Sequence, residues 1–295
     1  SELNERNTVL GYADRFDEKM DLVRSLRKGR YKYIRYYQPF YPDALYNDYR
    51  YKQAAYRELK SLHADGELHA AGARFFEGRP AEALYDVLDD PYETNNLAGA
   101  GDYRHVVSQM REELSARLKN LPDLSFLPES VIVKEAIDNP ARFGRENQKA
   151  ITRLIDIADL QLVSFDEAGP KLESLLQSPD RQQRYWALIV LSRFGAEAIH
   201  FQGQVRQLLA QEESLLVKAR AYEFLNLAVE HDVRRAMQDL IDQSSDPMEL
   251  LEILNIATHM HDTRGYTFAL PDTDGMTMER DVKYWFDCRK AYLSK

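Results

Sequence analysis

Little in this sequence is extreme, and each scarcity excludes something. A single cysteine, Cys288, stands in 295 residues, so no disulfide can form within the chain. No apolar run approaches the ~20 residues needed to span a bilayer, so no membrane span is expected. Basic residues number 39 against 48 acidic ones, a formal net charge of -9, and no broad positive field is available for nucleic acid. Ser1, Glu2, Leu3 and Asn4 carry no signal-peptide pattern, although a parent protein could hold one upstream. Hydrophobic residues make up 44% and charged ones 29%, the balance of an ordinary folded protein of one large or two modest domains.

Two kinds of pattern follow one another. Up to residue 128 the readable periods are those of strands. A short strand is expected over 8–12, and a hairpin joins 22–27 to 30–36 through Lys28-Gly29, where glycine can take positive φ. Tyr31, Tyr33 and Arg35 alternate with Lys32, Ile34 and Tyr36, a period of two. A helix is expected over 47–64. Residues 83–88 read as another half-buried strand, broken by Asp89-Asp90-Pro91. Asp102 then suits the cap of a helix whose Val106, Met110, Leu114 and Leu118 share a stripe.

From residue 147 the chain repeats. Asn147, Asp180, Glu213 and Asp246 lie 33 apart, each before an apolar helical run. In register, Ile155, Leu188, Ala221 and Leu254 are apolar, and so are Ala158, Leu191, Phe224 and Ala257. A second helix per unit keeps the period through Leu175, Leu208 and Ile241. Helix pairs that cannot bury one apolar face alone must stack, which points to an α-solenoid of about four HEAT-like helical hairpins. The expected class is therefore α+β: a small antiparallel-sheet subdomain at 1–128, a proline-punctuated linker at 129–146, repeats at 147–262 and a C-terminal cap at 263–295.

Residues 84–98, LYDVLDDPYETNNLA, resemble the LYDL..DP.E..NLA signature near the end of type I, formylglycine-dependent sulfatases. The block at 15–35, RFDEKMDLVRSLRKGRYKYIR, is similar to the strands that precede it in that family, and the likeness covers residues 8 to about 130. Residues 181–188 also look like the HEAT-type tail of some bacterial sulfatases. The family's nucleophile comes from C/S-x-P-x-R, whereas Cys288 is followed by Arg-Lys-Ala-Tyr and no serine completes the motif. Its metal-binding aspartate pair and HxxGxG-type loops are also missing. The resemblance therefore implies the C-terminal portion of a bacterial sulfatase, inactive alone, with no catalytic or metal-binding residue in this chain.

Calcium and formylglycine would belong to an absent N-terminal α/β domain, the first partner. Sulfated carbohydrate would be met through the complete protein, in the periplasm or outside the cell. The absent domain should also leave an exposed apolar face, a route to self-association. The family's small subdomain borders the substrate cleft. That implies substrate contacts from Arg15 and Asp17, and from Tyr37, Gln38, Tyr41 and Tyr46 after the hairpin. Arginine suits an oxyanion because its fork donates two parallel hydrogen bonds. Arg15 and Asp17 could equally form a local ion pair or turn cap, and the eight tyrosines between 31 and 51 could simply pack.

Other patterns carry less. His63 and His69 lack the helical spacing of two ligands for one metal. His259 and His261 point apart on a helix. Asp272, Asp274, Gly275 and Glu279 echo a calcium loop with the wrong spacing. Cys288 reads as a partly buried, inert thiol. Asp86 and Glu93 as hydrolytic carboxylates compete with the turn that already uses them. The alternative function is a non-catalytic HEAT-type scaffold that binds a protein partner.

Overall fold

The computed structural model describes residues 7–272 and 275–295. Four strands form one antiparallel sheet in chain order: β1 (Thr8–Phe16), β2 (Lys19–Lys28), β3 (Tyr31–Tyr36) and β4 (Glu82–Asp86). Helices of ten residues or more are α1 (Ala54–Ala64), α2 (Arg104–Asn120), α3 (Gln148–Ala158), α4 (Phe165–Leu176) and α5 (Arg181–Phe194). They continue as α6 (Gln202–Gln211), α7 (Leu215–Val229), α8 (Arg234–Gln243), α9 (Pro247–Arg264) and α10 (Arg280–Leu293). A small antiparallel sheet with many helices is the α+β class expected. Among the described residues no helix is long and apolar enough to cross a membrane.

The sheet is covered on its helix side and in part on the other, where Lys19, Ile34 and Ala83 are also buried. Leu22, Arg24 and Leu26 of β2, with Tyr33 and Arg35 of β3 and Leu84 of β4, face the helices and are buried. Arg24 can be buried because Asp123 takes its fork at 2.6 and 2.9 Å and Asp14 takes the remaining nitrogen at 2.6 Å. Lys28 pairs with Tyr31, so the hairpin turn is Gly29-Arg30, one residue later than the sequence suggests. Gly29 has φ 58°, a value that costs glycine little.

The sulfatase-like signature has a structural role at the end of the sheet. After β4 the Asp90 carboxylate accepts from Thr94 Oγ1 at 3.0 Å and from Asn95 N at 2.8 Å, which turns the chain back. Asn96 Oδ1 then accepts from Leu84 N at 3.0 Å, and Leu97 N donates to Leu84 O at 2.8 Å. The free edge of β4 is thus sealed by its own chain, the usual remedy for an unpaired strand. Asn96→Ala leaves the amide of fully buried Leu84 without its acceptor. A loss of about 1–3 kcal/mol is expected in urea unfolding.

Several local expectations are corrected. The helix expected over 47–64 is interrupted: one turn spans Asp48–Tyr51, and Gln53 is extended before α1. Asp102 does not cap α2, because a 3-10 turn at Gly101–Tyr103 intervenes and Tyr103 occupies the cap position. Val107, not Val106, joins Met110, Leu114 and Leu118 in the core. Glu213 does precede the apolar run of α7, which Ser214 caps, its oxygen accepting from Val217 N. Asp180 and Asp246 do cap α5 and α9.

Helices α3, α5, α7 and α9 pack in succession, with α4, α6 and α8 between them in sequence. Every residue of the two registers, from Ile155 and Ala158 to Leu254 and Ala257, has zero exposure. Yet α9 is buried from Leu250 through Met260, far beyond one face. The reason is that it is covered twice, by neighbouring helices and by the sheet lobe. One apolar core runs unbroken from Leu22 to Leu293. The segment at 129–146 forms short helical turns, and α10 returns to the sheet lobe, where Arg289 donates to Glu18 O at 2.7 Å and Tyr46 O at 3.0 Å.

Candidate functional site

A cleft of about 250 Å³ lies where the β1–β2 hairpin meets α5, α7 and α9. The register of β1 and β2 slips between Ala13 and Arg15, and such bulges re-aim side chains. Arg15 reaches the cleft mouth. Its Nε donates to Glu129 Oε2 at 2.8 Å, Nη2 reaches the same oxygen, and its guanidinium lies 4.5 Å from the Trp285 ring centre. Gln38 lines the opposite part, 7% exposed, with no hydrogen bond to its side-chain amide among the described residues. Phe126, Trp186 and Leu22 supply an apolar floor, and the Trp186 indole donates to Phe126 O at 2.7 Å.

Helix α9 contributes two polar side chains that pin the sheet lobe. Asn255 accepts from Met20 N and donates to Met20 O, both at 3.0 Å. Glu252 accepts from Glu129 N at 2.7 Å, Ser130 N at 3.2 Å and Ser130 Oγ at 2.6 Å. Burial pushes its carboxyl up to about 7, with those three donors holding it back. It is already engaged three times, so it is not a free base.

That shift gives a pH dependence. A carboxyl raised from its usual 4.5 holds its proton more tightly folded than unfolded. Its stabilising contribution is complete below pH 4.5 and is lost as pH rises towards about 7. The loss is about 3 kcal/mol, at 1.36 kcal/mol per unit. Glu252→Gln should flatten this part of the stability profile, measured by urea unfolding at successive pH values.

Behind the cleft Tyr41 donates to Glu223 Oε1 at 2.6 Å and accepts from Arg220 Nη1 at 2.9 Å. Arg220 also bonds Glu223 Oε2 at 2.7 Å and Tyr185 OH at 2.8 Å. His259 lies edge-on to Tyr41 with ring centres 4.9 Å apart. Burial and the nearby Arg220 and Arg264 push it down to about 4, so it is neutral at ordinary pH.

Of the residues singled out from the sequence, Arg15 and Gln38 meet in this cleft. Asp17 does not line it: residues 14–18 are the end of β1 and a two-residue turn, with Asp17 at φ 49°. Arg15 bonds only the Asp17 backbone carbonyl, at 3.3 Å. Tyr37 is packed edge-on to Phe126 and Trp186, at 4.8 and 6.2 Å between ring centres. Tyr41 belongs to the buried network, and Tyr46 is stacked on Tyr51 and, at 3.5 Å, on Tyr292 of α10. Glu129, Trp186, Arg220, Glu252 and Asn255 were missed. The one available signal was polar residues inside the apolar run of α9.

The remaining patterns resolve structurally. Asp86 pairs with Arg30, and Glu93 with Lys32 at 2.7 Å. His63 stacks on Phe76, while His69 accepts from Gly72 N at 3.2 Å. Burial pushes the Cys288 thiol up to about 11. Asp274 lies outside the described residues. Large apolar side chains exposed in the first 130 residues include Val9, Leu10, Tyr12 and Phe16 of β1, with Tyr49, Leu88, Tyr92 and Leu121 beyond it. The sheet face away from the helices is bordered by Lys19, Asp21 and Arg79, with both Arg79–Asp21 bonds at 2.7 Å.

Over 132 residues, 44% of its length, the chain is 36% identical to an ulvan-active sulfatase of Formosa agariphila. It therefore contains a sulfatase-related region. The chain spans about a fifth of the length of that relative, the match taking in 22% of it. No family model matches the chain.

Proposed function

We propose that this chain is the C-terminal part of a sulfatase acting on sulfated carbohydrates, and that its cleft-side residues help hold substrate beside a catalytic domain carried elsewhere in the parent protein. The observation that carries this reading is the 36% identity to an ulvan-active sulfatase. The lack of any C/S-x-P-x-R sequence supports a division of labour. Formylglycine and calcium would sit in the other domain, and the parent would be periplasmic or secreted. Arg15 and Gln38 are the substrate-side residues retained, because Tyr37 and Tyr41 are enclosed. The helices from α3 to α9 are read as HEAT-like hairpins extending that lobe, supported by the 33-residue register.

The test uses the longer gene product. It should release sulfate from a panel of sulfated polysaccharides, and alanine at the cysteine or serine of its C/S-x-P-x-R motif should abolish release. The 295-residue chain alone should release none. A longer product with no such motif, or sulfate release by this chain alone, would contradict the reading. A free-standing scaffold is less favoured, because the α7 and α9 faces bearing Glu223 and Asn255 are already covered by the sheet lobe.

A further inference from the structure

We infer that the recess on the sheet face turned away from the helices is a binding site for a small aromatic monoanion, its carboxylate or sulfate head paired with Arg50 in the field of Lys19 and Arg79, and its ring lying along the sheet. The recess, of about 560 Å³, is a different place from the cleft at α5, α7 and α9, with Val23 and Ser25 of β2 in its floor. It belongs to the sheet lobe alone and does not depend on the proposed sulfatase activity.

Charge decides the class of ligand. Five cationic side chains line the recess: Arg15, Lys19, Lys32, Arg50 and Arg79. Glu129 holds Arg15 from outside it, and Glu93 holds Lys32. Lys19, Arg50 and Arg79 are left with two carboxylates, Asp21 and Asp43, an excess of one positive charge (three minus two) in a chain of formal net charge -9. The three heads converge on one residue. Lys19 Nζ donates to Asp43 O at 3.0 Å, Arg50 Nη1 donates to the same oxygen, and Arg79 Nη1 reaches the Asp43 carboxylate at 3.0 Å. Arg79 also takes Asp21 with two bonds of 2.7 Å, so Lys19 has only a share of that carboxylate, at 3.5 Å.

Like charges gathered this closely repel, and Lys19 is only 5% exposed. Burial pushes its ammonium pKa down; Asp21 opposes that, and Arg79 and Arg50 add to it. One further negative charge at this end relieves the repulsion, which a neutral or cationic ligand cannot do. Arg50 is the head that can take it. It is half-buried, it has no carboxylate partner among the described residues, and its side chain bonds only the Asp43 carbonyl. A guanidinium fork suits the paired oxygens of a carboxylate or sulfate.

Beside this end lies an uncharged bed. Gly11 stands opposite Ser25, and a Cβ at Gly11 would lie 2.6 Å from Ser25 Oγ, so glycine keeps the floor open there. Ala13 and Val23 continue it, and the Phe16 ring, 44% exposed and 5.6 Å from the Arg50 guanidinium, gives a surface for an aromatic ring beside the charged head. The volume of about 560 Å³ falls within the roughly 300–1,000 Å³ of small-molecule sites.

The experiment is an amide chemical-shift titration of the 295-residue chain with benzoate and phenyl sulfate, with benzamide as the neutral counterpart and benzylamine as the cationic one. At least one anion should shift the amides of Gly11, Val23 and Ser25 and bind about tenfold or more tightly than benzamide, and the stronger of the two identifies the preferred head. Benzylamine should not bind. Arg50→Met removes the unpaired cation and leaves every ion pair of the recess in place, while Ala13→Trp fills the bed from the exposed strand β1. Each should weaken anion binding about tenfold or more with the circular-dichroism spectrum unchanged, and either variant alone suffices if the other fails to fold. Binding of neither anion, equal binding of benzamide, shifts confined to the cleft amides of Glu252 and Asn255, or unchanged affinity in a folded variant would overturn the assignment. None of these results bears on sulfate release by the longer gene product, so the two proposals fail separately.

Discussion

Glu223→Ala is expected to destabilise the protein by about 3–5 kcal/mol, because it strips the counter-charge from a fully enclosed arginine. Arg220 is 4% exposed and Glu223 1%, so neither can turn to water without opening the seam between lobes. Against a total of roughly 5–15 kcal/mol for a folded domain, that loss is a fifth or more of the whole. Tyr41→Phe keeps the ion pair and removes one hydrogen bond to the carboxylate, so about 2 kcal/mol is expected. Replacing the pair together, Arg220→Met with Glu223→Leu, should recover most of the loss, since an apolar pair of similar volume avoids burying charge. Urea midpoints with unchanged slopes would measure all three. A loss below about 1 kcal/mol for Glu223→Ala would mean the network does not join the lobes.

Trp186→Ala has the second large effect, also about 3–5 kcal/mol. Its ring is 2% exposed and closes the space between Tyr37 and Phe126, so truncation leaves a cavity lined by both lobes. Trp186→Phe separates packing from hydrogen bonding. It keeps most of the volume but leaves Phe126 O without the indole donor, a cost of about 1 kcal/mol. If alanine and phenylalanine cost the same, the hydrogen bond rather than the packing would dominate, contrary to the geometry.

These residues also mark where sequence reasoning reached and where it stopped. The 33-residue recurrence of Leu188 and Leu254 was legible because burial acts on each helix separately, whereas β3 does not alternate in burial: Tyr33, Ile34 and Arg35 are all enclosed. The turn after β4 was legible because Asp90, Pro91 and Asn96 are chemically specific. The cap at Asp102 misled because the same residue types serve a 3-10 turn one step earlier.

The seam could not be read at all. Glu252 and Ser130 are 122 residues apart, Arg15 and Glu129 are 114 apart, and no local period links either pair. Periodicity says that a helix has a face to bury; it does not say what covers it. That is why α9 looked like one more repeat, when it is also the wall on which the sheet lobe rests. For the same reason the tyrosines after the hairpin split two ways: Tyr37 and Tyr41 pack, while neighbouring Gln38 lines the cleft.

Native-state hydrogen exchange tests most directly whether the sheet lobe and the helices are a single cooperative body. Amides of Leu26 and Ile34 in β2 and β3 should open with the same free energy as those of Phe224 in α7 and Leu254 in α9, and Glu223→Ala should lower all four equally. Sheet amides that open several kcal/mol more easily than the helical ones, or a Glu223→Ala effect confined to α7, would contradict it.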